Sequence, residues 1–346
     1  MISSRSKSIP AELLRSFLWV AAQGYTAAIG LRNFLYSKRW LKIHITNVPV
    51  ISIGNITVGG TGKTPLVIWM YRFLQSKNIP CAILTRGYKA TRTDEPVILA
   101  ESCPQAKVIV NPDRVEAAAE AVNKFGAKVL IMDDGFQHRR LHRDLDIVTI
   151  DATCPFGYGK MLPAGLLREP ISGLKRADAV VLTRTDQVDE NQLNRIEERI
   201  LKIRDHIIIA RAIHRVVVAK LANGDEIRPD QLKGKKVFAF CGIGNPDSFT
   251  ATIKSLKCEV VGSKTYNDHH SYRQEDVREI FELADKSDID LILTTYKDWT
   301  KIDFLKILYS EDTKPTGYLE IELKFISGED KITQLIQNAL AGKIPS

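Results

Sequence analysis

The amino-acid sequence predicts an α/β protein with a doubly wound, mostly parallel sheet and a second, smaller α/β domain. Past residue 45 the apolar runs are short and are bounded by turn residues, as in strands buried on both faces. Helical periodicity separates most of these runs. With 346 residues and 44% apolar side chains, the chain is long enough for two domains, which excludes a disordered tail, a collagen-like repeat and a small disulfide-stapled scaffold.

The first half of the chain contains six strand candidates with helix candidates between them. The expected strands cover residues 48–53, 81–85, 107–110, 129–132, 147–150 and 179–183. The expected helices cover residues 64–75, 114–125 and 191–202. Alternation of this kind brings successive strands back parallel to one another, so the sequence predicts a parallel sheet here.

The pattern changes near residue 207, where the sequence predicts a β-hairpin. Residues 207–212 and 216–221 favour strands, Asn223-Gly224-Asp225 suits the turn, and the polar stretch 228–236 is expected to be a linker. A second α/β unit is expected to begin with a strand at 237–241 and to end with a strand at 291–294. The expected divisions are an N-terminal segment (1–43), a first domain (44–206), a hairpin linker (207–236) and a second domain (237–346).

The net charge of +8 is concentrated in residues 1–43, which hold seven Lys or Arg residues and one Glu. Within this segment residues 16–31 are uncharged and apolar, but as a helix they reach about 24 Å, short of a bilayer core of about 30 Å. Trp19, Tyr25 and Trp40 among basic residues favour an interfacial helix on an anionic membrane surface. The alternatives are a helix packed on its own domain and a signal peptide, which the basic residues that follow disfavour.

The five cysteines are scattered and form no C-x-x-C pair. This pattern favours free thiols in a reducing compartment, so the body of the protein is expected in the cytoplasm.

A glycine-rich loop between a predicted strand and a predicted helix carries the strongest chemical signal. The residues expected to bind nucleotide are Val58, Gly59, Gly60, Thr61, Gly62, Lys63, Thr64 and Pro65. Glycines let backbone N–H groups surround phosphate oxygens, Lys63 reaches the β- and γ-phosphates, and the Thr64 hydroxyl is suited to Mg²⁺. The loop predicts a P-loop NTPase fold that binds ATP or GTP, although Thr57 replaces the first glycine of the usual pattern.

Two adjacent acids, Asp133 and Asp134, end an apolar strand candidate, and at least one of them is expected to hold the Mg²⁺ of the nucleotide, directly or through water. The alternative is that they are ordinary helix-capping or turn residues. The turn after them carries three arginines suited to phosphate or anionic lipid. His138 and His142 have the spacing of one helical face but lack further zinc ligands.

Six blocks stand in order along the chain: GNITVGGTGKTP (54–65), TRGY (85–88), DEP (94–96), DDGFQHR (133–139), LPAGLLREP (162–170) and DHH (268–270). Together they resemble the tetraacyldisaccharide 4'-kinase family of lipid A biosynthesis, from about residue 10 to about residue 300. The chain departs from the family pattern at Thr93, where a glycine is usual, and in the short 89–93 segment, where the family has a longer hairpin.

The resemblance implies transfer of the γ-phosphate of ATP to the 4'-hydroxyl of a lipid-linked glucosamine disaccharide 1-phosphate. By position it makes Asp94 the residue that accepts or orients the acceptor proton, supported by His269, with Lys63 on the phosphates. It also implies that Arg168 contacts phosphate and that Glu169 joins Thr64, Asp133 and Asp134 around the metal. The resemblance further implies that the protein acts at the cytoplasmic face of the bacterial inner membrane, with no obligate protein partner.

Two other classes of function remain open at this point. A soluble P-loop enzyme or GTPase would use residues 1–43 only for packing, and Thr183-Arg184-Thr185-Asp186 is similar to a guanine-reading T-K-x-D turn except at Arg184. A nucleic-acid protein is disfavoured because the basic residues cluster in one apolar segment and no nucleic-acid module is present.

Overall fold

The computed structural model describes residues 9–87, 94–302 and 314–342, with the backbone alone for residues 9–11, 13 and 94. In this part of the chain the helices are α1 (Ile9–Ser37), α2 (Lys63–Ser76), α3 (Asp94–Ser102), α4 (Arg114–Phe125), α5 (Glu190–Leu201), α6 (Pro246–Ser255), α7 (Gln274–Asp285), α8 (Tyr296–Ile302) and α9 (Glu329–Leu340). The strands are β1 (Val50–Asn55), β2 (Cys81–Thr85), β3 (Lys107–Val110), β4 (Val129–Asp133), β5 (Leu145–Asp151), β6 (Ala179–Thr183), β7 (Ile208–Leu221), β8 (Glu226–Ile227), β9 (Lys236–Cys241), β10 (Glu259–Thr265), β11 (Leu291–Thr295) and β12 (Thr316–Ser327).

The described strands form one 12-stranded sheet in the order β10-β9-β11-β12-β7-β6-β5-β1-β4-β2-β3, with β8 beside β7. Strand β7 joins the two halves of the sheet, since it runs parallel to β6 and antiparallel to β12. Every residue of β1, β2, β4, β5 and β6 is buried, as the apolar runs of the sequence predict. The predicted doubly wound α/β fold is confirmed.

Helices cover both faces of this sheet. On one face Leu66 and Met70 of α2 share a hydrophobic cluster with Ile332 and Ile336 of α9. On the other face α4 packs its alanine stripe against β2 and β4. The final helix of the described chain thus packs beside the helix that follows the P-loop.

The prediction of two separate strands at 207–212 and 216–221 was wrong, because β7 is continuous. The polar residues His214 and Arg215 interrupt the apolar pattern, yet they pair in register with Leu323 and Glu322 of β12. Backbone pairing with a partner strand therefore carries the strand through a polar stretch. The predicted turn is present, with Gly224 at φ +91° between β7 and β8.

Helix α1 confirms the predicted N-terminal helix. Its exposed side chains include Phe17, Trp19 and Leu31, which are 69%, 55% and 60% exposed, whereas Ala22 is 3% exposed. Among the residues that the structure describes, no helix is long and apolar enough to cross a bilayer.

Candidate active site

The P-loop lies at the carboxyl end of β1 and leads into the N-terminus of α2. Gly59 and Gly62 adopt φ values of +105° and +84°, which side chains rarely adopt. A Cβ atom on Gly62 would lie 2.8 Å from His214 Nε2, so the close approach of β7 also requires glycine here. Backbone N–H groups at the start of α2 are thereby left to face an anion, which the helix dipole favours.

A cluster of charged side chains surrounds Asp134 at the end of β4. Arg168 donates from Nη1 and Nη2 to the two Asp134 oxygens at 2.6 and 2.9 Å, and Lys63 Nζ lies 3.5 Å from Oδ1. Arg168 Nη1 also donates to Asn55 Oδ1 at 3.0 Å. Burial alone would raise the pKa of Asp134, but the charges and hydrogen bonds of Lys63 and Arg168 hold that pKa well below its usual range.

Asp134 also has an unusual backbone, with φ at +52°. An L-residue other than glycine costs about 1–2 kcal/mol in this left-handed region, although aspartate tolerates it better than most residues. The paired Arg168 and Lys63 side chains are positioned to maintain this conformation. The strain therefore coincides with the residue on which the charged cluster converges.

Asp133 immediately precedes Asp134 in the chain and is only 2% exposed. Thr85 donates to its Oδ2 at 3.4 Å, whereas Oδ1 is buried without a hydrogen-bond partner among the described residues. Burial, together with the nearby charge of Glu95, raises the pKa of Asp133 to about 7.

Glu169 is fully buried, and both of its oxygens are already engaged. Gln137 Nε2 donates to Oε1 at 2.7 Å, and Arg176 Nη2 donates to Oε2 at 2.7 Å. The first bond ties Glu169 to the turn after Asp134, and the second ties it to the short helical turn Ile171–Arg176. The geometry gives Glu169 a structural contact, and no three His, Cys, Asp or Glu side chains of the described ranges are grouped as a metal site.

The second half of the sheet reaches the P-loop through the loop after β9. A Cβ on Gly244 would lie 2.9 Å from the Gly60 nitrogen, so the two loops are in direct contact. Arg184 Nη1 donates to the Gly60 carbonyl at 2.8 Å and forms an ion pair with Asp151. Asn245 Nδ2 donates to the same Asp151 carboxylate at 2.9 Å, which links the two halves beside the P-loop.

Arg184 is therefore a support of the P-loop in this structure. It is 6% exposed and holds both a loop carbonyl and a carboxylate. Its place in the Thr183-Arg184-Thr185-Asp186 turn, directly after a buried strand, was the signal that linked it to the nucleotide. No comparable motif marks Asp151, His214 or Asn245 in the sequence.

His269 follows β10, in a segment that faces the P-loop. Its Nε2 lies 3.3 Å from Lys297 Nζ of α8, and Lys297 also donates to Asp268 Oδ1 at 3.3 Å. Asp94 is the first residue of α3, and its side chain lies outside the described residues, as do Thr93 and the 89–93 segment. Helix α3 packs against α8, so both predicted acceptor-side residues belong to segments that contact α8.

One cavity of about 700 Å³ joins these parts of the molecule. Its wall includes the P-loop and Thr64 from the first half and Gly244, Asp268 and His269 from the second. Asp134 and Arg168 also line it. The described surface therefore offers a phosphate-binding loop, a carboxylate and an imidazole around a common space.

Comparison with known proteins decides the family. A family model described as tetraacyldisaccharide-1-P 4'-kinase matches residues 14–341. This chain belongs to the tetraacyldisaccharide 4'-kinase family. The family resemblance and the kinase class predicted from the sequence are thus confirmed.

Individual relatives of the family agree with this assignment. The tetraacyldisaccharide 4'-kinase of Halothermothrix orenii is 36% identical, over 87% of this chain and 86% of that protein. The corresponding protein of Elusimicrobium minutum is 37% identical, over 83% and 82%. The solved structure of LpxK from Aquifex aeolicus in complex with ATP shares 30% identity with a TM-score of 0.71, and covers 94% of this chain and 99% of that chain.

Proposed function

We propose that this chain transfers the γ-phosphate of ATP to the 4'-hydroxyl of a tetraacyl glucosamine disaccharide 1-phosphate, in lipid A biosynthesis. The observation that carries the proposal is the single cavity shared by the P-loop, Asp134, Arg168 and His269, in a chain of this kinase family. Phosphoryl transfer needs positioning and charge stabilisation more than covalent chemistry, and this set of side chains supplies both.

On the donor side, residues 58–65 bind the phosphates of ATP. The N–H groups of the loop and of the first turn of α2 point to the anion, and Lys63 supplies a positive charge. In the structure Lys63 lies beside Asp134, from which it moves to the β- and γ-phosphates when ATP enters. Asp134 keeps a cationic partner during this exchange because Arg168 holds both of its oxygens.

For Mg²⁺, the donor set fits a P-loop site, where a hydroxyl and one or two carboxylates of the protein would hold the ion together with nucleotide phosphates and waters. The Thr64 hydroxyl and the Asp134 carboxylate are the suitable donors on the cavity wall, while Asp133 lies behind them with one buried oxygen unpartnered by any described residue. The bound ion would neutralise charge on the transferring phosphoryl group. Glu169 is the further candidate that the family motif adds, and Gln137 and Arg176 each donate one hydrogen bond to its oxygens, which leaves a lone pair on each of them.

On the acceptor side, Asp94 takes or orients the proton of the 4'-hydroxyl, and His269 supports it. Their placement rests on the family motif and on α8, which both segments contact. A sugar hydroxyl is a poor nucleophile at neutral pH, so a positioned base contributes typically about 10²–10⁴-fold to the rate. Lys297, between Asp268 and His269, provides a second positive charge for the anionic acceptor.

The acceptor carries acyl chains, and α1 is the element suited to reach them. Its exposed Phe17, Trp19 and Leu31 would enter the lipid boundary while the exposed Lys38 and Arg39, directly after the helix, meet anionic headgroups. The place of action is then the cytoplasmic face of the bacterial inner membrane, with the chain bound at the surface.

The test is incubation of the purified chain with radiolabelled ATP, Mg²⁺ and a panel of lipid disaccharide 1-phosphates in mixed vesicles. Label is expected at the 4'-position of the tetraacyl acceptor and on no acceptor whose 4'-hydroxyl is blocked. Label that appears only as free phosphate would contradict the proposal.

A further inference from the structure

Helix α1 is attached to the two segments that flank Asp134. The Tyr25 hydroxyl donates to the backbone carbonyl of Arg168 at 2.9 Å. About two turns along the helix, the Asn33 carbonyl accepts from Arg139 Nη1 at 2.7 Å, and Arg139 lies in the turn that follows Asp134. Helix α1, which carries the exposed apolar side chains, therefore contacts both the backbone of Arg168 and the turn that follows Asp134.

The residue that Tyr25 holds is itself part of the nucleotide site. The Arg168 N–H donates to the carbonyl of Ile56 at 2.8 Å, so its backbone is fixed by the P-loop segment on one side and by α1 on the other. Its guanidinium forms the bidentate contact with the Asp134 carboxylate. Such a contact depends on orientation because both N–H groups must align with the carboxylate. A shift of the Arg168 backbone would therefore move Asp134.

We propose that Tyr25 is a positioning residue for phosphoryl transfer, whose hydroxyl fixes Arg168 and, through it, Asp134. This inference rests on the proposed function. It adds that the membrane-binding helix contributes to turnover separately from anchoring the enzyme.

The test uses Tyr25→Phe, which removes the hydroxyl and keeps the ring. Activity is measured on phosphatidylethanolamine and phosphatidylglycerol vesicles that carry tetraacyldisaccharide 1-phosphate. We expect kcat to fall about three- to tenfold, because small displacements of catalytic groups slow turnover, while vesicle binding and the KM for the lipid keep wild-type values. The matched control is Thr26→Val, which removes the neighbouring hydroxyl. Among the described residues that hydroxyl donates within α1, to the Ala22 carbonyl at 2.6 Å, so wild-type kcat is expected.

Three outcomes overturn the inference: wild-type kcat in Tyr25→Phe, a fall in kcat that comes with lost vesicle binding, or an equal fall in Thr26→Val. A second measurement introduces Tyr25→Phe into the Arg168→Lys variant. Lysine at this position keeps the positive charge but cannot form the bidentate contact with Asp134. If Tyr25 acts through Arg168, the added loss is smaller than the loss in the wild-type background, and an undiminished loss overturns the inference. A wild-type chain that labels no acceptor overturns the proposed function and this inference together, whereas an active wild type with an unaffected Tyr25→Phe overturns only the inference.

Discussion

At the scale of single residues, the three cationic side chains Lys63, Arg168 and Arg184 each have a carboxylate partner before ATP arrives. Lys63 and Arg168 share Asp134, and Arg184 shares Asp151 with Asn245. A buried charge without a partner costs several kcal/mol, so such pairing keeps the site folded while it is empty of phosphate. When ATP binds, Lys63 exchanges Asp134 for the phosphates, so its charge is not left without a partner.

Replacement of Lys63 by alanine is expected to lower kcat/KM for ATP about 10²–10³-fold, because a fixed charge on the transferring phosphates is lost. Steady-state kinetics with the lipid acceptor measure this. Lys77→Ala is the control, since Lys77 is an exposed lysine at the other end of α2. Near-normal activity of the Lys63 variant would remove the P-loop from the mechanism.

His214 predicts a pH dependence of stability. Burial, together with the charge of Arg184, lowers its pKa from 6.5 to about 3, and its Nε2 has no hydrogen-bond partner among the described residues. The unfolded chain therefore binds one more proton than the folded chain between about pH 6.5 and pH 3, so the free energy of unfolding falls as pH falls through this range.

The measurement is urea unfolding at several pH values for His214→Gln. The slope of unfolding free energy against pH between 6 and 4 is expected to decrease by up to about 1.4 kcal/mol per pH unit, the value for one proton. His206→Gln serves as control because the His206 side chain is 90% exposed. Equal slopes in wild type and His214→Gln would show that folding does not lower the pKa of His214.

At the scale of secondary-structure elements, one face of α1 packs against the rest of the protein and the opposite face is exposed. Ala22 and Tyr25 face the body of the molecule, whereas Phe17, Trp19, Val20 and Leu31 are exposed. Contiguous exposed apolar side chains on a soluble surface usually mark an interaction site. Basic residues beside them favour an anionic lipid surface over a protein partner.

The double variant Phe17→Ser, Trp19→Ser is expected to weaken binding to anionic vesicles at least about tenfold, because each substitution removes apolar area that would enter the lipid. Vesicle sedimentation measures this, and the thermal unfolding midpoint should stay unchanged since both side chains are exposed. Ile326→Ser is the control, because Ile326 is a 56% exposed apolar residue of β12, away from α1. Undiminished vesicle binding would place the anchor elsewhere.

At the scale of the whole molecule, one sheet connects the phosphate loop to the acceptor-side residues. Strand β7 pairs with β6 and β12, and the Asp151 carboxylate accepts from both Arg184 and Asn245. Residues separated by more than a hundred positions, such as Lys63 and His269, thereby line one cavity. The arrangement predicts that donor and acceptor groups act together.

Asp94→Ala is expected to lower kcat about 10²–10⁴-fold with little change in the KM for ATP, because the residue acts on the acceptor hydroxyl. His269→Ala is expected to lower kcat as well. If the pair acts as a unit, the double variant loses less than the product of the two single losses. Wild-type kcat in both single variants would mean that the family roles do not transfer to this chain with its short 89–93 segment.

Much of the first half could be predicted because its signals are local. The strands at 81–85, 107–110 and 179–183 and the helix at 114–125 have the predicted bounds, since apolar runs and turn residues mark them directly. Strands β10 and β12 were not predicted, because alternating or charged residues weaken their apolar pattern. The continuity of β7 through His214 depends on β12, about a hundred residues later, which no local pattern reveals.

By itself, the sequence determined the fold class, the phosphate loop and the family, because glycines, lysine and acids at fixed spacing carry that chemistry wherever the chain places them. Only the tertiary structure decided which partner each charged group has. In the folded chain Asp134 pairs with Arg168 and Lys63. Glu169 accepts hydrogen bonds from Gln137 and Arg176, and Tyr25 donates one to the Arg168 carbonyl. The physical reason is that hydrogen bonds and ion pairs act over a few ångströms, while the residues that make them lie tens to hundreds of positions apart in the chain.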